Sequence, residues 1–366
     1  MYIENNMDNI IQNLGFDGFF ESHCKELQIG QDCIARIIAE HKGMYYVKNY
    51  KGELQARITG KQMFAAGSRE DYPAVGDWVV ISMIDNTQAI IEQILPRKTV
   101  IKKTAVSRKS TDRMKSQIIA ANVDIAFVVE SVDRDFSLNR FERYFALIED
   151  GNAEPAIILN KVDLISKEDL DDKIGQIQNR FKDCTIIPMS TKTLEGLDSL
   201  EKSLYFGKTY CFLGSSGVGK SSLINALIGQ DIAKTGAIGQ GNERGKHVTT
   251  HREMYFLNNG GVVIDNPGMR EVGLANLGAG TLSIFDEIED IALRCKFTDC
   301  THIHESGCAV REALDCDAVD KEKYDNFIRM KKEAEHYEMT DYEKHNKEKQ
   351  FGKYVKKSLE RMKEFE

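Results

Sequence analysis

The chain has 366 residues, of which 42% are hydrophobic and 29% charged, and its formal net charge is −8 at pH 7. These proportions indicate a globular protein of about two or three domains and exclude a wholly disordered, collagenous or coiled-coil chain. No run approaches the ~20 consecutive apolar residues that a membrane span needs, and the acidic, polar start is unlike a signal peptide. We therefore expect a cytoplasmic protein with no membrane partner, whose eight cysteines are reduced thiols or metal ligands.

The first third of the chain predicts a small β-domain. Residues 1–30 are an N-terminal extension to which the sequence assigns no purpose. Residues 31–102 then alternate apolar and polar residues in short runs separated by Gly or Asn, which is typical of a small antiparallel barrel. The strands predicted there are Cys33–Glu40, Met44–Val47, Glu53–Ile58, Trp78–Met83 and Ala89–Ile94.

A basic segment follows the predicted barrel. Residues 97–116 hold eight Lys or Arg side chains and one Asp, a net charge of +7, among Ser and Thr. We interpret residues 103–116 as a flexible, basic linker. Because this segment is hidden within a net charge of −8, the acidic total does not exclude a nucleic-acid partner.

Apolar strands alternate with helical stretches over residues 117–282. This alternation predicts a mostly parallel sheet covered by helices on both faces. The strands are Ile125–Val129, Ala156–Leu159, Thr185–Ile187, Tyr210–Leu213 and Val262–Ile264, and the helices are Phe141–Glu149, Lys167–Phe181, Gly196–Leu204 and Ser221–Leu227.

A phosphate-binding loop lies between one of these strands and the helix after it. The segment is a full match to G-x-x-x-x-G-K-[ST], in which backbone N–H groups surround the phosphates of a nucleotide. Lys220 is expected to reach the β- and γ-phosphates, and Ser221 to ligate Mg²⁺. The predicted contacts are Gly214, Ser215, Ser216, Gly217, Val218, Gly219, Lys220, Ser221 and Ser222.

Two further loops indicate that the base is guanine. Asn160, Lys161 and Asp163 form an N-K-x-D segment at a strand end, where the Asp carboxylate accepts hydrogen bonds from guanine N1–H and N2–H₂. Alone, this segment could equally be a surface turn, but beside a phosphate-binding loop that alternative weakens. The weakly specific run Ser190, Thr191 and Lys192 fits a second loop that contacts guanine.

A D-x-x-G segment supplies the remaining phosphate contacts. Asp265 is expected to hold Mg²⁺ through water, and the amide of Gly268 to contact the γ-phosphate. The Gly-rich stretch before this segment contains Thr249 and Thr250, which could ligate Mg²⁺ when a triphosphate is bound. An ordinary mobile loop is equally compatible with that stretch.

The order of the three motifs is permuted. N-K-x-D precedes the phosphate-binding loop, which precedes D-x-x-G, whereas common signalling GTPases place N-K-x-D last. Since all three follow strands of one sheet, a circular permutation preserves the site. It also places the segment after D-x-x-G directly before the C-terminal region.

A Cys/His group within fourteen residues follows the sheet, in a region of residues 283–366 that we expect to be a helical metal domain with a charged tail. Cys295, Cys300 and Cys308 with one imidazole, from His302 or His304, have the composition of a closed, structural Zn²⁺ site. The alternative is a set of separate thiols and a surface histidine.

The sequence resembles the ribosome small subunit-dependent GTPases (the RsgA, or YjeQ, family) over roughly residues 31–320. The resemblance depends on the permuted motif order, on residues 121–124 (Ala-Asn-Val-Asp), on residues 245–250 (Gly-Lys-His-Val-Thr-Thr) and on the Cys/His spacing. Departures are Val248, Asn266, the extra residues 1–29 and the tail after about residue 330.

The resemblance implies an OB-fold barrel that binds RNA, a circularly permuted GTPase domain and a zinc domain, with His302 as the fourth ligand. It also implies action late in the maturation of the 30S ribosomal subunit, contact with its 16S rRNA, GTP hydrolysis that the subunit stimulates, and a monomeric chain.

The residue that follows the D-x-x-G segment predicts slow intrinsic GTP hydrolysis. Met269 stands where many GTPases place a Gln that orients water. His247 is the best substitute, since a neutral imidazole can position the attacking water, and the resemblance points the same way. The catalytic residues we expect are His247, Lys220 and Thr250, although His247 could equally serve only to dock its loop or to touch rRNA.

The barrel and the basic segment carry the predicted RNA-facing side chains. OB barrels bind nucleic acid with basic and aromatic side chains on one face. The cations are Lys61, Arg69, Arg97, Lys98, Lys102 and Lys103, and the aromatics are Tyr45, Tyr46 and Phe64, each of which could instead be a core residue. A GTP hydrolase acting on the small subunit fits these features best. The alternatives are a non-catalytic RNA-binding scaffold that senses GTP and GDP, and a signalling GTPase.

Overall fold

A computed structural model describes residues 2–41, 43–105, 115–133, 136–229, 252–265, 283–339 and 349. The chain divides into two compact units, one formed by Met1–Lys103 with Ser116–Val272 and the other by Thr104–Lys115 with Gly273–Glu366. In the described ranges, no helix has the length and apolar character needed to cross a membrane. The predicted residues His247, Thr249, Thr250 and Gly268 lie outside the described ranges.

The N-terminal extension, to which the sequence assigns no purpose, forms two helices. They are α1 (Tyr2–Asn13) and α2 (Gly18–Glu26), and Asp17 caps the second by accepting a hydrogen bond from the Phe19 N–H. Their apolar side chains share one core with the barrel, in which the Phe16 ring meets the Trp78 ring edge-on at 4.9 Å. The extension is therefore part of the fold of the first unit.

A closed five-stranded barrel follows, as predicted. Its strands are β1 (Ile34–His41), β2 (Met44–Asn49), β3 (Gly52–Ile58), β4 (Trp78–Met83) and β5 (Gln88–Ile94). They pair in the closed order β1-β2-β3-β5-β4-β1, with β3 and β5 parallel and the other pairs antiparallel. A short helix, α3 (Gly60–Ala65), lies between β3 and β4. Alternate residues of β2 and β3 are buried, which is the period-2 pattern that predicted these strands.

The basic segment after the barrel is more ordered than expected. Strands β6 (Val100–Ala105) and β7 (Lys115–Ala121) pair with each other, so the predicted flexible linker is wrong at both of its ends. Short apolar runs, residues 100–101 of β6 and 118–121 of β7, supply the strand-forming residues beside the charged ones. Residues 106–114 lie outside the described ranges.

The predicted parallel sheet is present in the remainder of the first unit. Its order is β10-β9-β8-β11-β13-β12, and all neighbours are parallel except β12 and β13. The strands are β8 (Ile125–Ser131), β9 (Glu154–Asn160), β10 (Ile186–Pro188), β11 (Thr209–Leu213), β12 (Arg252–Phe256) and β13 (Val262–Asp265). The helices between them are α4 (Leu138–Asp150), α5 (Lys167–Arg180), α6 (Leu197–Ser203) and α7 (Lys220–Ile228).

Barrel and parallel sheet are continuous through one strand pair. β12 pairs antiparallel with β1, with Ala39 opposite Glu253 and Glu40 opposite Arg252. The described strands of both parts thus form one eleven-stranded sheet. β12 was not predicted, because its Arg, Glu and Tyr residues hide the alternation.

A buried arginine ties the parts of the first unit together. Arg36 is 1% exposed and donates hydrogen bonds to the carbonyls of Leu14, Gly76 (3.3 Å) and Asn122 (3.3 Å) and to Thr209 Oγ1 (2.9 Å). These four acceptors belong to the extension, the barrel, the β7–β8 junction and the first residue of β11. Burial lowers the pKa of Arg36 to about 10, yet the guanidinium remains charged at neutral pH.

The second unit is helical where it is described. It contains α8 (Asp286–Ala292), α9 (Ala309–Asp315) and α10 (Lys321–Glu338). The rings of Phe285 and Phe327, both buried, meet at 5.3 Å and join the start of α8 to α10. Between α8 and α9 lies the segment that carries the Cys/His group.

Substitution of Arg36 tests whether its four hydrogen bonds stabilise the first unit. In the variant Arg36→Met, buried carbonyl groups lose their donors, so we expect a loss of about 3 kcal/mol in the free energy of unfolding. Urea denaturation measures this loss. The matched control is Arg57→Met, an exposed arginine of β3, for which we expect about 0.5 kcal/mol or less. Equal losses in the two variants would contradict the assignment.

Candidate functional site

The phosphate-binding loop follows β11, a fully buried strand, and its glycines have positive φ angles. Gly214 and Gly219 have φ values of +147° and +105°, which L side chains rarely adopt. A Cβ at Gly214 would come within 2.2 Å of the Val129 carbonyl oxygen, and one at Gly219 within 2.2 Å of Asn160 Nδ2. Both positions therefore require glycine, and the loop lies directly against two neighbouring strand ends.

Lys220 is the first residue of α7 and points into this loop. Its Nζ donates hydrogen bonds to the carbonyl oxygens of Gly214 (2.7 Å) and Ser215 (2.6 Å). Burial lowers the pKa of Lys220 to about 8, although the carboxylates of Asp265 and Glu130 act in the opposite direction. The loop thus presents a desolvated ammonium and the N-terminal amides of α7 to the same point, an arrangement suited to phosphate.

Asp265 ends β13, which lies beside β11 in the sheet. It is 4% exposed, and burial raises its pKa to about 6 despite the opposing charge of Lys220. Its Oδ2 atom is buried without a hydrogen-bond partner among the described residues. A buried carboxylate oxygen without a donor, close to an ammonium group, suits a hydrated divalent cation.

Asn160 joins three loops at the end of the sheet. It is fully buried, and its Nδ2 donates to the Val218 carbonyl of the phosphate-binding loop at 2.7 Å and to Thr191 Oγ1 at 3.3 Å. Its Oδ1 accepts a hydrogen bond from the Thr191 N–H at 3.0 Å. The N-K-x-D segment, the Ser190–Lys192 run and the phosphate-binding loop are therefore held in one arrangement by a single amide.

The carboxylate of Asp163 is oriented by Ser190. Ser190 Oγ donates to Asp163 Oδ1 at 2.6 Å and accepts hydrogen bonds from the N–H groups of Lys192 and Thr193, each at 3.2 Å. Asp163 itself is exposed, whereas Ser190 is fully buried. Ser190 thus holds Oδ1 of an exposed carboxylate, and the second oxygen, Oδ2, lies outside that hydrogen bond.

One residue near this site was missed from the sequence. Asp133 follows β8 and accepts a hydrogen bond from Lys161 Nζ at 3.1 Å. No motif signals it, and only the adjacency of β8 and β9 in the sheet brings it to the N-K-x-D segment.

The Cys/His group forms a compact cluster in the second unit. The ligand atoms of Cys295, Cys300, His302 and Cys308 all lie within 4.8 Å of one another. Cys295 Sγ and Cys308 Sγ are each 3.6 Å from His302 Nδ1 and 3.9 Å from one another. Tetrahedral Zn²⁺ separates two sulfur ligands by about 3.8 Å and sulfur from nitrogen by about 3.5 Å, so the donors fit that ion. His304 is exposed and lies outside the cluster.

Neighbouring groups fix this cluster in place. His302 has a left-handed backbone (φ +64°), its carbonyl accepts a hydrogen bond from the Tyr324 hydroxyl of α10 at 2.7 Å, and its ring lies 6.1 Å from Phe327. The Glu305 carboxylate accepts hydrogen bonds from the Thr301 hydroxyl and N–H and from the N–H groups of Ile303 and His304, and these bonds lower its pKa to about 2. The loop between the ligands is therefore built around one carboxylate.

Three of the six predicted RNA-facing cations form ion pairs within the fold. Arg97 pairs with the buried Asp77 at 2.7 Å, Lys98 bridges Asp17 and Asp124, and Lys102 pairs with Glu70 at 2.5 Å. These three side chains therefore already face carboxylates, which the sequence does not reveal, and their contact with RNA stays a prediction.

The remaining predicted contacts differ in exposure. Tyr45 is buried, so it cannot stack on a base as predicted. Tyr46 is half-buried, and its ring meets the His41 ring edge-on at 5.3 Å. Phe64 is 94% exposed, and Lys61 and Arg69 are exposed without an ion-pair partner in the part of the chain that the structure describes.

Two family models and several curated proteins are similar to this chain. Residues 94–275 match the family model described as RsgA GTPase, and residues 209–348 match one described as 50S ribosome-binding GTPase. A protein of Bacteroides thetaiotaomicron, small ribosomal subunit biogenesis GTPase RsgA 1, is 36% identical over 98% of this chain and 100% of its own length. RsgA 2 of Lactiplantibacillus plantarum is 41% identical over 82% of this chain and 83% of its own length.

Solved structures of the same kind resemble the fold. YjeQ from Thermotoga maritima matches with a TM-score of 0.57 and 26% identity, covering 81% of this chain and 96% of that one. YloQ, described as a circularly permuted GTPase, matches with a TM-score of 0.57 and 25% identity, covering 84% of this chain and 96% of that one.

Lys220 gives the phosphate site a pH dependence. Its pKa of about 8 belongs to the nucleotide-free protein, and bound phosphates stabilise the ammonium form, so its pKa rises on binding. Affinity for GDP is therefore expected to be level just below pH 8 and to fall above it, approaching ten-fold per pH unit. Equilibrium binding between about pH 7 and 9 measures this decline.

The control for this pH dependence is Lys220→Arg, in which the cation stays charged throughout the range. We expect its affinity to be lower but level with pH. A decline of equal slope in both proteins would assign the titration to another group.

Proposed function

Since this chain belongs to the RsgA family of GTPases, we propose that it binds GTP across the loops at the end of its parallel sheet and hydrolyses it during assembly of the small ribosomal subunit. The observation that carries the proposal is the single arrangement, centred on Asn160, of three loops suited to base and phosphate. The 30S subunit and its 16S rRNA are the proposed partners, and the chain is proposed to act as a monomer in the cytoplasm.

Phosphate binding is proposed to use the groups gathered around Lys220. On entry of the nucleotide, Lys220 exchanges its two loop carbonyls for the β- and γ-phosphate oxygens, while the amides of residues 214–222 surround them. Ser221 and the unpartnered oxygen of Asp265 would hold the Mg²⁺ ion, with Thr249 and Thr250 proposed as further ligands. Mg²⁺ there would neutralise the charge that develops between the phosphates.

Guanine selection is proposed to come from Asp163. The Ser190 hydroxyl fixes one oxygen of that carboxylate and leaves the other free for guanine N1–H and N2–H₂. Adenine lacks this donor pair, so its binding would leave the oxygen unpaired. Asn160 holds the loop, Lys161 lies along the ring, and Thr191 and Lys192 complete the pocket.

Hydrolysis is proposed to be slow until the ribosomal partner binds. Met269 carries no group that can orient water, and His247 is the proposed substitute. Gly268 would contact the γ-phosphate, and the chain continues from it into the second unit.

Contact with rRNA is proposed at the barrel. Lys61, Arg69 and Phe64 are exposed there, and Arg69 lines a groove of about 370 Å³ together with Arg252 and Tyr72. Cations beside aromatic side chains are the usual surface for single-stranded nucleic acid. Because Arg252 begins β12, this groove adjoins the strand that joins barrel and sheet.

Turnover measurements with purified subunits test this function. We expect GTP hydrolysis to be slow in the isolated chain and to rise at least about ten-fold with small subunits, with large subunits as the control. For His247→Ala, we expect the stimulated rate to fall while GTP affinity is nearly retained.

The outcomes separate the candidate functions. Tight GTP and subunit binding without multiple turnover would favour a non-catalytic scaffold that senses GTP and GDP, and unchanged stimulation of His247→Ala would remove that histidine from the mechanism. Stimulation by large subunits alone would contradict the choice of partner. The second family match, whose description names the 50S ribosome, makes that control a necessary one.

A structural zinc ion is proposed for the Cys/His cluster. We expect one Zn²⁺ per chain by elemental analysis, and we expect Cys300→Ser or strong chelation to remove it and to expose the second unit to proteolysis. GDP affinity should change little, since the nucleotide residues lie in the first unit. Cys316→Ser is the control, because that exposed thiol lies outside the cluster. Zinc retained in Cys300→Ser would contradict the ligand set.

A further inference from the structure

The lysine of the N-K-x-D segment is held at both ends. Its backbone has the left-handed conformation (φ +65°), which fixes the direction in which the side chain leaves the loop. Its Nζ atom forms an ion pair with Asp133 Oδ2 at 3.1 Å. Between these two points runs the aliphatic stem that the proposed function places along the guanine ring.

Asp133 is itself fixed. Its Oδ1 accepts a hydrogen bond from Ser131 Oγ at 2.7 Å, and Ser131 is fully buried at the end of β8. The residue between them, Val132, donates its N–H to the Asn160 carbonyl at 3.1 Å. The turn that carries Asp133 is thus hydrogen-bonded to the residue that precedes Lys161. This backbone bond fixes the position of Asp133 relative to Lys161.

Such a pair has a consequence for ligand binding. A free lysine stem samples many rotamers, and that freedom is lost when a ring packs against it. A stem that is already fixed at the ammonium end loses less rotamer freedom on binding. Part of the entropic cost of binding is therefore met before the ligand arrives. The pair is also partly exposed, with 28% and 32% of the two side chains accessible, so its contribution to the fold is small.

We propose that Asp133 is a positioning residue for guanine recognition, which holds the stem of Lys161 against the face of the base. The inference rests on the proposed guanine site at residues 160–163. Asp133 acts through Lys161, so its effect concerns the base and is the same for GDP and GTP.

A double-mutant cycle tests this role. The single variants are Asp133→Asn, which keeps the shape and loses the charge, and Lys161→Met, which keeps an apolar stem and loses the ammonium. We expect each to weaken GDP and GTP binding by about three- to five-fold and the double variant to bind no more weakly than Lys161→Met alone. A full additional loss in the double variant would overturn the proposal.

Two further measurements separate this role from a structural one. The thermal midpoint of nucleotide-free Asp133→Asn should equal that of the parent, and Asp133→Glu should recover part of the affinity. A lowered midpoint with no recovery by Glu would assign Asp133 to the fold and overturn the proposal. The matched control is Glu53→Gln, which removes the barrel ion pair Lys48–Glu53 of 3.0 Å and should leave affinity unchanged.

The same binding data distinguish failure of the proposed guanine site from failure of the role proposed for Asp133. If the parent protein does not prefer GDP to ADP, the guanine site itself is wrong. If the parent prefers GDP and Lys161→Met alone weakens binding, while Asp133→Asn does not, only the role of Asp133 is overturned.

Discussion

The first unit depends on one buried cation. A guanidinium has five N–H donors in a rigid plane, and Arg36 uses them on carbonyl and hydroxyl groups from four separate parts of the chain. Two glycines make this possible: a Cβ at Gly15 would lie 2.4 Å from Arg36 Nη1, and one at Gly76 would lie 2.0 Å from the Ala121 carbonyl oxygen. Because one of the acceptors is Thr209, the first residue of β11, the strand that leads to the phosphate-binding loop is positioned by the same contact.

The topology of the sheet brings the three motif loops together although their order along the chain is permuted. β9, β11 and β13 end at one edge of the sheet, so the loops that follow them meet whatever their order along the chain. The barrel and the parallel sheet are also continuous. β12 lies between β13 and the barrel strand β1, so the barrel strands and the strands that carry the motif loops belong to a single sheet.

Sequence patterns predicted the strands with a clear period or an unbroken apolar run, and they failed where charge interrupted the pattern. Each predicted strand overlaps an observed one, and Trp78–Met83 matches residue for residue. β6 and β7 were missed because they lie at the two ends of a segment interpreted as a basic linker, and β12 was missed because Arg and Glu occupy its first two positions. In the same way, the motifs located Asn160, Asp163 and Lys220, whereas Asp133 and Arg36 depend on tertiary neighbours that no local pattern encodes.

The basic segment shows that a sequence does not reveal which cations are paired within the fold. The +7 of residues 97–116 suggested an RNA-binding surface, yet Arg97, Lys98 and Lys102 are paired with carboxylates of the barrel, the extension and the sheet. A cation whose charge is already neutralised within the fold offers little to a phosphate, and breaking its pair would cost the desolvation of the carboxylate left behind. Asp77 is fully buried beneath Arg97, so that cation cannot leave without a large penalty. A basic run in a sequence therefore identifies a binding surface only after the acidic residues opposite it are known. Lys61 and Arg69, which are exposed and have no ion-pair partner among the described residues, become the better candidates here.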